Sequence, residues 1–174
     1  KRGVDMADQT RMKNLDAYLH SADKGYRDLI SFTYKDKENM FDITTYQKGG
    51  LVLHMLRKYL GDEAFFEGLR VYLERHAFQS VEAHDLRLAM EDVSGEDLNW
   101  FFNQWYFDKG QPTVEIAHSY DSANHKYELS FHQTQDFRTL RPVYEMNIPV
   151  DLYTSEKEKR REFVHITNRV QSFS

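Results

Sequence analysis

Thr45-Tyr46-Gln47-Lys48-Gly49-Gly50-Leu51-Val52-Leu53-His54-Met55-Leu56-Arg57 places a phenol and two glycines at the start of a strongly apolar helical pattern. Each glycine in a first helical turn costs roughly 1 kcal/mol relative to alanine, so the pair marks a place where something approaches the backbone closely. A substrate or a neighbouring helix would do so. The spacing predicts a helix over about 45–60, apolar around most of its circumference, with Gln47, His54 and Lys58 as a thin polar stripe. Such a helix is expected to be largely buried. At about 100° per residue, Tyr46 falls on one face with Gly49, Leu53, Leu56 and Leu60, beside the glycine gap at the helix entrance.

On either side of this helix the pattern continues. Residues 5–20 favour a helix, with Met6, Met12, Leu15 and Leu19 loosely on one face, and Ser21 to Gly25 break it. From Tyr26 to Thr44 an extended connection is expected, with a β-leaning Leu29-Ile30-Ser31-Phe32-Thr33-Tyr34 and a charged turn at Lys35 to Glu38. Gly61-Asp62-Glu63 stops the central helix and starts another, with glycine after the C-cap, Asp62 as N-cap and two acids at the positive helix end. Ser94-Gly95-Glu96-Asp97 repeats the device. After it, Leu98, Phe101, Phe102 and Trp105 stand at i, i+3, i+4 and i+7.

At Gly110-Gln111-Pro112 the texture changes. Five short β-prone segments follow, over 113–120, 126–134, 143–154, 162–166 and 169–173. The basic run Lys157, Lys159, Arg160 and Arg161 reads as a solvated hairpin loop. The fold class is α+β: a helical part over 1–112, then an antiparallel, incomplete β-sandwich over 113–174. A strand-like segment ending at Ser174 would leave an unpaired edge, so self-association through that edge is expected.

Composition excludes several classes. The chain has 174 residues, 40% hydrophobic and 29% charged, enough for a real core. No apolar run approaches the roughly 20 residues that span a bilayer, so no membrane span is expected. A net charge of −5 argues against nucleic acid as a partner. Absence of cysteine removes disulfides, thiolate metal sites and thiol nucleophiles.

The eight histidines form no His-Glu-x-x-His pattern, and His118, His125 and His132 recur every seven residues across intervening turns. No residue of this chain is assigned as a metal ligand. The acid pairs Asp62-Glu63, Glu91-Asp92 and Glu96-Asp97 sit at helix ends, where capping accounts for them. No Gly-x-Ser-x-Gly elbow or phosphate-binding glycine loop occurs. Tyr46 remains, and a phenol is a neutral donor at neutral pH, suited to an oxyanion that develops in a transition state.

Met40-Phe41-Asp42, Tyr46-Gln47-Lys48-Gly49-Gly50 and Leu60-Gly61-Asp62-Glu63-Ala64-Phe65-Phe66 together resemble the M1 family of zinc aminopeptidases, the aminopeptidase N-like gluzincins. Asp85-Leu86, the stretch Met90 to Leu98, Phe101-Phe102, Gln104-Trp105 and Gly110-Gln111-Pro112 resemble the end of that family's catalytic domain. The likeness is closest over 40–112, looser over 113–174, and over 1–39 rests on order and on Asp16-Ala17-Tyr18-Leu19. It implies a thermolysin-like catalytic domain followed by a small β-sandwich, with peptides as substrates. In the family a tyrosine followed by x-Lys-Gly donates its hydroxyl to the tetrahedral oxyanion, and Tyr46 matches it. Lys48 is taken as structural or as a support behind the site residues, and Gly49 and Gly50 as packing positions. The family's zinc comes from His-Glu-x-x-His and a later glutamate, and its substrate amine from Gly-x-Met-x-Asn, neither of which occurs here. The resemblance therefore implies a C-terminal piece of a larger enzyme, with zinc in the parent, none held by this piece, and no activity of the piece alone. A catalytically silent scaffold of the same fold is the alternative, and an unrelated adaptor module a third.

Overall fold

The computed structural model describes residues 3–21, 27–155 and 158–174. The chain forms two compact units, Lys1–Gly110 and Gln111–Ser174. The first is helical and the second is antiparallel sheet, so the chain is α+β.

In the helical unit α1 spans Val4–Leu19, α2 Gly49–Leu60, α3 Asp62–Arg75, α4 Ala83–Ser94 and α5 Asn99–Trp105. The expected break after Ser21 falls on residues 22–26, outside the described residues. From 27 to 42 the chain is an irregular connection of bends, with a 3₁₀ turn at Lys37–Met40. Its β-leaning stretch Leu29 to Tyr34 forms no strand among the described residues; Asp28 just before it makes an isolated bridge to Lys109, and Ile30 N–H donates to the Tyr106 carbonyl at 2.9 Å.

Short helices such as α5, seven residues long, hold little stability alone and depend on burial. Leu98, Phe101, Phe102 and Trp105 are all buried, as their spacing predicts, and Tyr106 stacks on Phe102 at 4.4 Å between centroids. Tyr59 of α2 meets Trp100 edge-on at 5.5 Å, which ties the central helix to the same aromatic core. Gly61 and Gly95 close α2 and α4 with φ of 81° and 73°, the positive region that glycine enters at least cost. Asp62 is the first residue of α3 rather than its N-cap. Its carboxylate is taken by Arg57, at 2.7 and 2.8 Å.

Helix α2 is less enclosed than its composition suggests. Gly49, Val52 and Leu56 are buried, whereas Leu51, Leu53, Tyr59 and Leu60 are half-buried and Met55 is exposed. Only one stripe of the helix therefore meets the core of the described residues.

The second unit has β1 (Val114–Asp121), β2 (Lys126–Gln133), β3 (Met146–Ser155), β4 (Glu158–Ile166) and β5 (Val170–Phe173). One sheet has the order β1-β2-β5 and the other pairs β3 with β4, all antiparallel. Buried Gln133 stitches the unit. Its amide donates to the Tyr144 carbonyl and accepts from the Tyr144 N–H, both at 2.8 Å. The basic run is not a loop. Lys159, Arg160 and Arg161 lie within β4, where Lys159 and Arg161 both pair with Asp151 across the hairpin, while Lys157 lies outside the described residues. Neutralisation by a cross-strand acid lets these cations occupy a strand.

Candidate functional site

The site grows from Asp42. Its carboxylate accepts the Thr45 N–H at 2.8 Å, and its carbonyl accepts the Tyr46 N–H at 3.1 Å, so Asp42 organises the start of the helix. Arg27 grips the same carboxylate through Nη2, at 2.6 and 2.5 Å, and reaches Thr45 Oγ1 at 3.2 Å. Burial works to raise the Asp42 pKa, but the Thr45 N–H and the Arg27 guanidinium outweigh it, and the carboxyl sits below its ordinary value.

Residues Thr44–Lys48 then form a π turn in place of the first turn of an α-helix, and Gly49 N–H bonds to the Thr44 carbonyl. Such turns recur at functional sites, and they disrupt the 100° projection from which the sequence reading assigned faces. The result is visible in exposure. Leu56 and Gly49 are buried, while Tyr46 is 60% exposed and is the one exposed residue of the turn. Its ring lies 6.5 Å from that of Phe41, tilted by 35°. Its hydroxyl has no hydrogen-bond partner among the described residues and stands free to donate to a ligand.

The two glycines differ. A Cβ on Gly49 would meet Leu29 Cδ1 at 3.4 Å, an ordinary van der Waals contact with the connection between α1 and α2, so among the described residues nothing approaches closely enough to require glycine there. Gly50 meets nothing within 4 Å among the described residues and carries no such contact.

Lys48 is enclosed, which the sequence pattern does not indicate. It is 4% exposed, and its Nζ has no hydrogen-bond partner among the described residues. The ammonium lies 6.0 Å from the centre of the Tyr18 ring. Burial lowers its pKa to about 8, against the opposing fields of Asp28 and Asp108, with Arg27 lowering it further. No periodicity in the sequence announces this, because a lysine in a helical pattern ordinarily marks the wet face.

The remaining candidates are structural. Arg75 pairs with Asp92, Glu91 accepts from Arg87 and from the Leu98 N–H, and Asp97 caps Asn99. Tyr127 shares a 2.8 Å hydrogen bond with His118 Nδ1. Among the described residues no group of three or more His, Cys, Asp or Glu is placed to hold a metal ion. The zinc implied by the resemblance thus finds no ligand set in them, and no step is derived through it. No described helix is long and apolar enough to cross a membrane.

Comparison with known proteins bears on what this arrangement serves. The peptidase family M1 domain matches residues 3–105. Aminopeptidase N of Escherichia coli (strain K12) is 32% identical over 125 residues, covering 70% of this chain and 14% of the relative. Aminopeptidase M1 of Arabidopsis thaliana is 34% identical over 128 residues, covering 73% of this chain and 14% of the relative. The crystal structure of Legionella pneumophila aminopeptidase A in complex with aspartic acid superposes with a TM-score of 0.72 at 17% identity, covering 89% of this chain and 18% of that one, which shows a shared fold. The chain spans about a seventh of the length of these curated relatives. It belongs to peptidase family M1.

Proposed function

We propose that the whole protein is an aminopeptidase that hydrolyses N-terminal residues from peptides, and that Tyr46 donates its hydroxyl to the oxyanion formed at the scissile carbonyl. Residues 1–112 are then the helical C-terminal half of a thermolysin-like catalytic domain, and 113–174 part of a β-sandwich domain. Zinc belongs to the parent enzyme on this reading, liganded by residues outside this chain, and the 174 residues alone are inactive.

The observation that carries the reading is the π turn, which leaves an unpartnered phenol exposed on a turn whose start is held by Asp42 and Arg27. A neutral donor fixed before the reaction begins stabilises developing negative charge without reorganising. Arg27 and Asp42 both bond to Thr45 at the start of the turn, so the geometry suits preorganisation rather than induced fit.

Hydrolysis of a panel of aminoacyl anilides by the whole protein tests this. Chelator-sensitive release is expected, and Tyr46→Phe should lower kcat on the order of 10²–10³-fold with little change in KM. An unchanged kcat in the variant would overturn the role of Tyr46. No release by the wild type would favour a silent scaffold.

A further inference from the structure

A π turn is uncommon in a helix, and the one at Thr44–Lys48 is bracketed by a short piece of chain from outside it, residues 27–30. At the start of the turn, Arg27 Nη2 reaches the Thr45 hydroxyl at 3.2 Å and the two carboxylate oxygens of Asp42 at 2.6 and 2.5 Å. At its end, the buried side chain of Leu29 packs over Gly49. Asp42 in turn takes two consecutive backbone N–H groups, that of Thr45 on its carboxylate at 2.8 Å and that of Tyr46 on its carbonyl at 3.1 Å. The bracket is itself tied to the core. Ile30 N–H donates to the Tyr106 carbonyl at 2.9 Å, and Tyr106 is buried and stacked on buried Phe102.

We propose that Arg27 is a positioning residue for the Tyr46 donor: bonded to Asp42 and Thr45 together, it fixes the register of the turn and with it the direction of the phenol. This rests on the aminopeptidase reading above. A slip of the turn by one residue would rotate Tyr46 by about 100° around the helix axis. The same slip would break both N–H bonds to Asp42 and the bond from Arg27 to Thr45. Bonds between a guanidinium and a carboxylate are short and strong, and a side chain only 24% exposed makes them with little competition from water. Arg27 therefore acts on the reaction only through Tyr46. Its removal costs rate while the tyrosine hydroxyl is present and nothing further once that hydroxyl is gone.

The test is a double-mutant cycle of Arg27→Met with Tyr46→Phe in the whole protein, reading kcat and KM for aminoacyl anilides well below the melting temperature of each variant. Arg27→Met is expected to lose roughly tenfold to a hundredfold in kcat, the scale of a misplaced group, with KM nearly unchanged. In the Tyr46→Phe background the same substitution should cost less than about twofold more. Thr45→Val keeps the side-chain shape but removes the hydroxyl that Arg27 reaches. It should show a smaller loss of kcat, again only while Tyr46 is present.

Wild-type kcat in Arg27→Met overturns the inference, and so does an equal loss in both backgrounds, which marks a general support of the fold. In either case a collapse of kcat in Tyr46→Phe leaves the peptidase reading standing. Should Arg27→Met fail to fold, Thr45→Val decides by the same comparison. An unchanged kcat in Tyr46→Phe, or no hydrolysis by the wild type, overturns both.

Discussion

Arg27 Nη2 donates to both carboxylate oxygens of Asp42 across fifteen residues of chain, at 2.6 and 2.5 Å, with each side chain only 24% exposed. That pair closes the connection between α1 and α2 onto the turn carrying Tyr46. Without it, the Asp42 cap on Thr45 would stand on a segment with little regular structure of its own.

Asp42→Ala should therefore lower stability by about 1–3 kcal/mol, the scale for leaving a charged hydrogen-bonding partner unsatisfied. The folded-state pKa of Asp42 is depressed, so its contribution is fully present above the unfolded value near 4 and is lost as pH falls through the folded one. Chemical denaturation at pH 7 and at pH 3 checks this. The gap between wild type and variant should shrink at the lower pH.

Lys48 has the opposite sign. Its folded pKa, about 8, lies below the ordinary 10.5, so the cost of burying the ammonium is fully present below pH 8 and is relieved as pH rises toward 10.5. Lys48→Met should gain about 1–3 kcal/mol at pH 7, as buried charges replaced by apolar groups do. That advantage should fade between pH 8 and 10 in denaturant titrations.

Gly68 of α3 packs against Met90 of α4. A Cβ there would lie 2.5 Å from Met90 Sδ and 3.3 Å from Met90 Cα, a backbone atom, and Met90 is fully buried. Gly68→Ala should cost about 1–3 kcal/mol by overpacking, despite the higher helix propensity of alanine. Calorimetry would show a lower melting temperature, and an unchanged one would mean that α3 and α4 separate freely.

Strand β1 pairs only with β2 among the described residues, and β3 and β4 pair only with each other, so both sheets present unpaired edges. Exposed Tyr153 and Phe163 on β3 and β4 add apolar surface. The 174-residue chain should self-associate with rising concentration. Light scattering that reports a monomer throughout would contradict this.

Local signals were sufficient wherever one residue type dominates its own neighbourhood. Glycine at 61 and 95 ended helices because positive φ is a local matter, and the i, i+3, i+4, i+7 aromatics of α5 found the core because a single helix face decides burial. The change of texture near Pro112 likewise separated helix from strand, since periods of 3.6 and 2 are written residue by residue. Tyr46 stood out for its place beside two glycines, and its exposure agrees with a role at a surface.

What lay beyond the sequence depends on residues far apart in the chain. The π turn at Thr44–Lys48 stands where Arg27 grips Asp42, and no periodicity near 45 contains that partner. Lys48 turned inward, with its ammonium 6.0 Å from the centre of the Tyr18 ring of α1, which reverses the rule that lysine marks the wet side of a helix. Lys159 to Arg161 became a strand through Asp151 on the opposite strand. Sequence alone thus determined the helical and sheet parts and the glycine-closed helix ends. Only the tertiary structure decided which way Tyr46 and Lys48 face, because a charge or a turn type is settled by the groups that surround it in space.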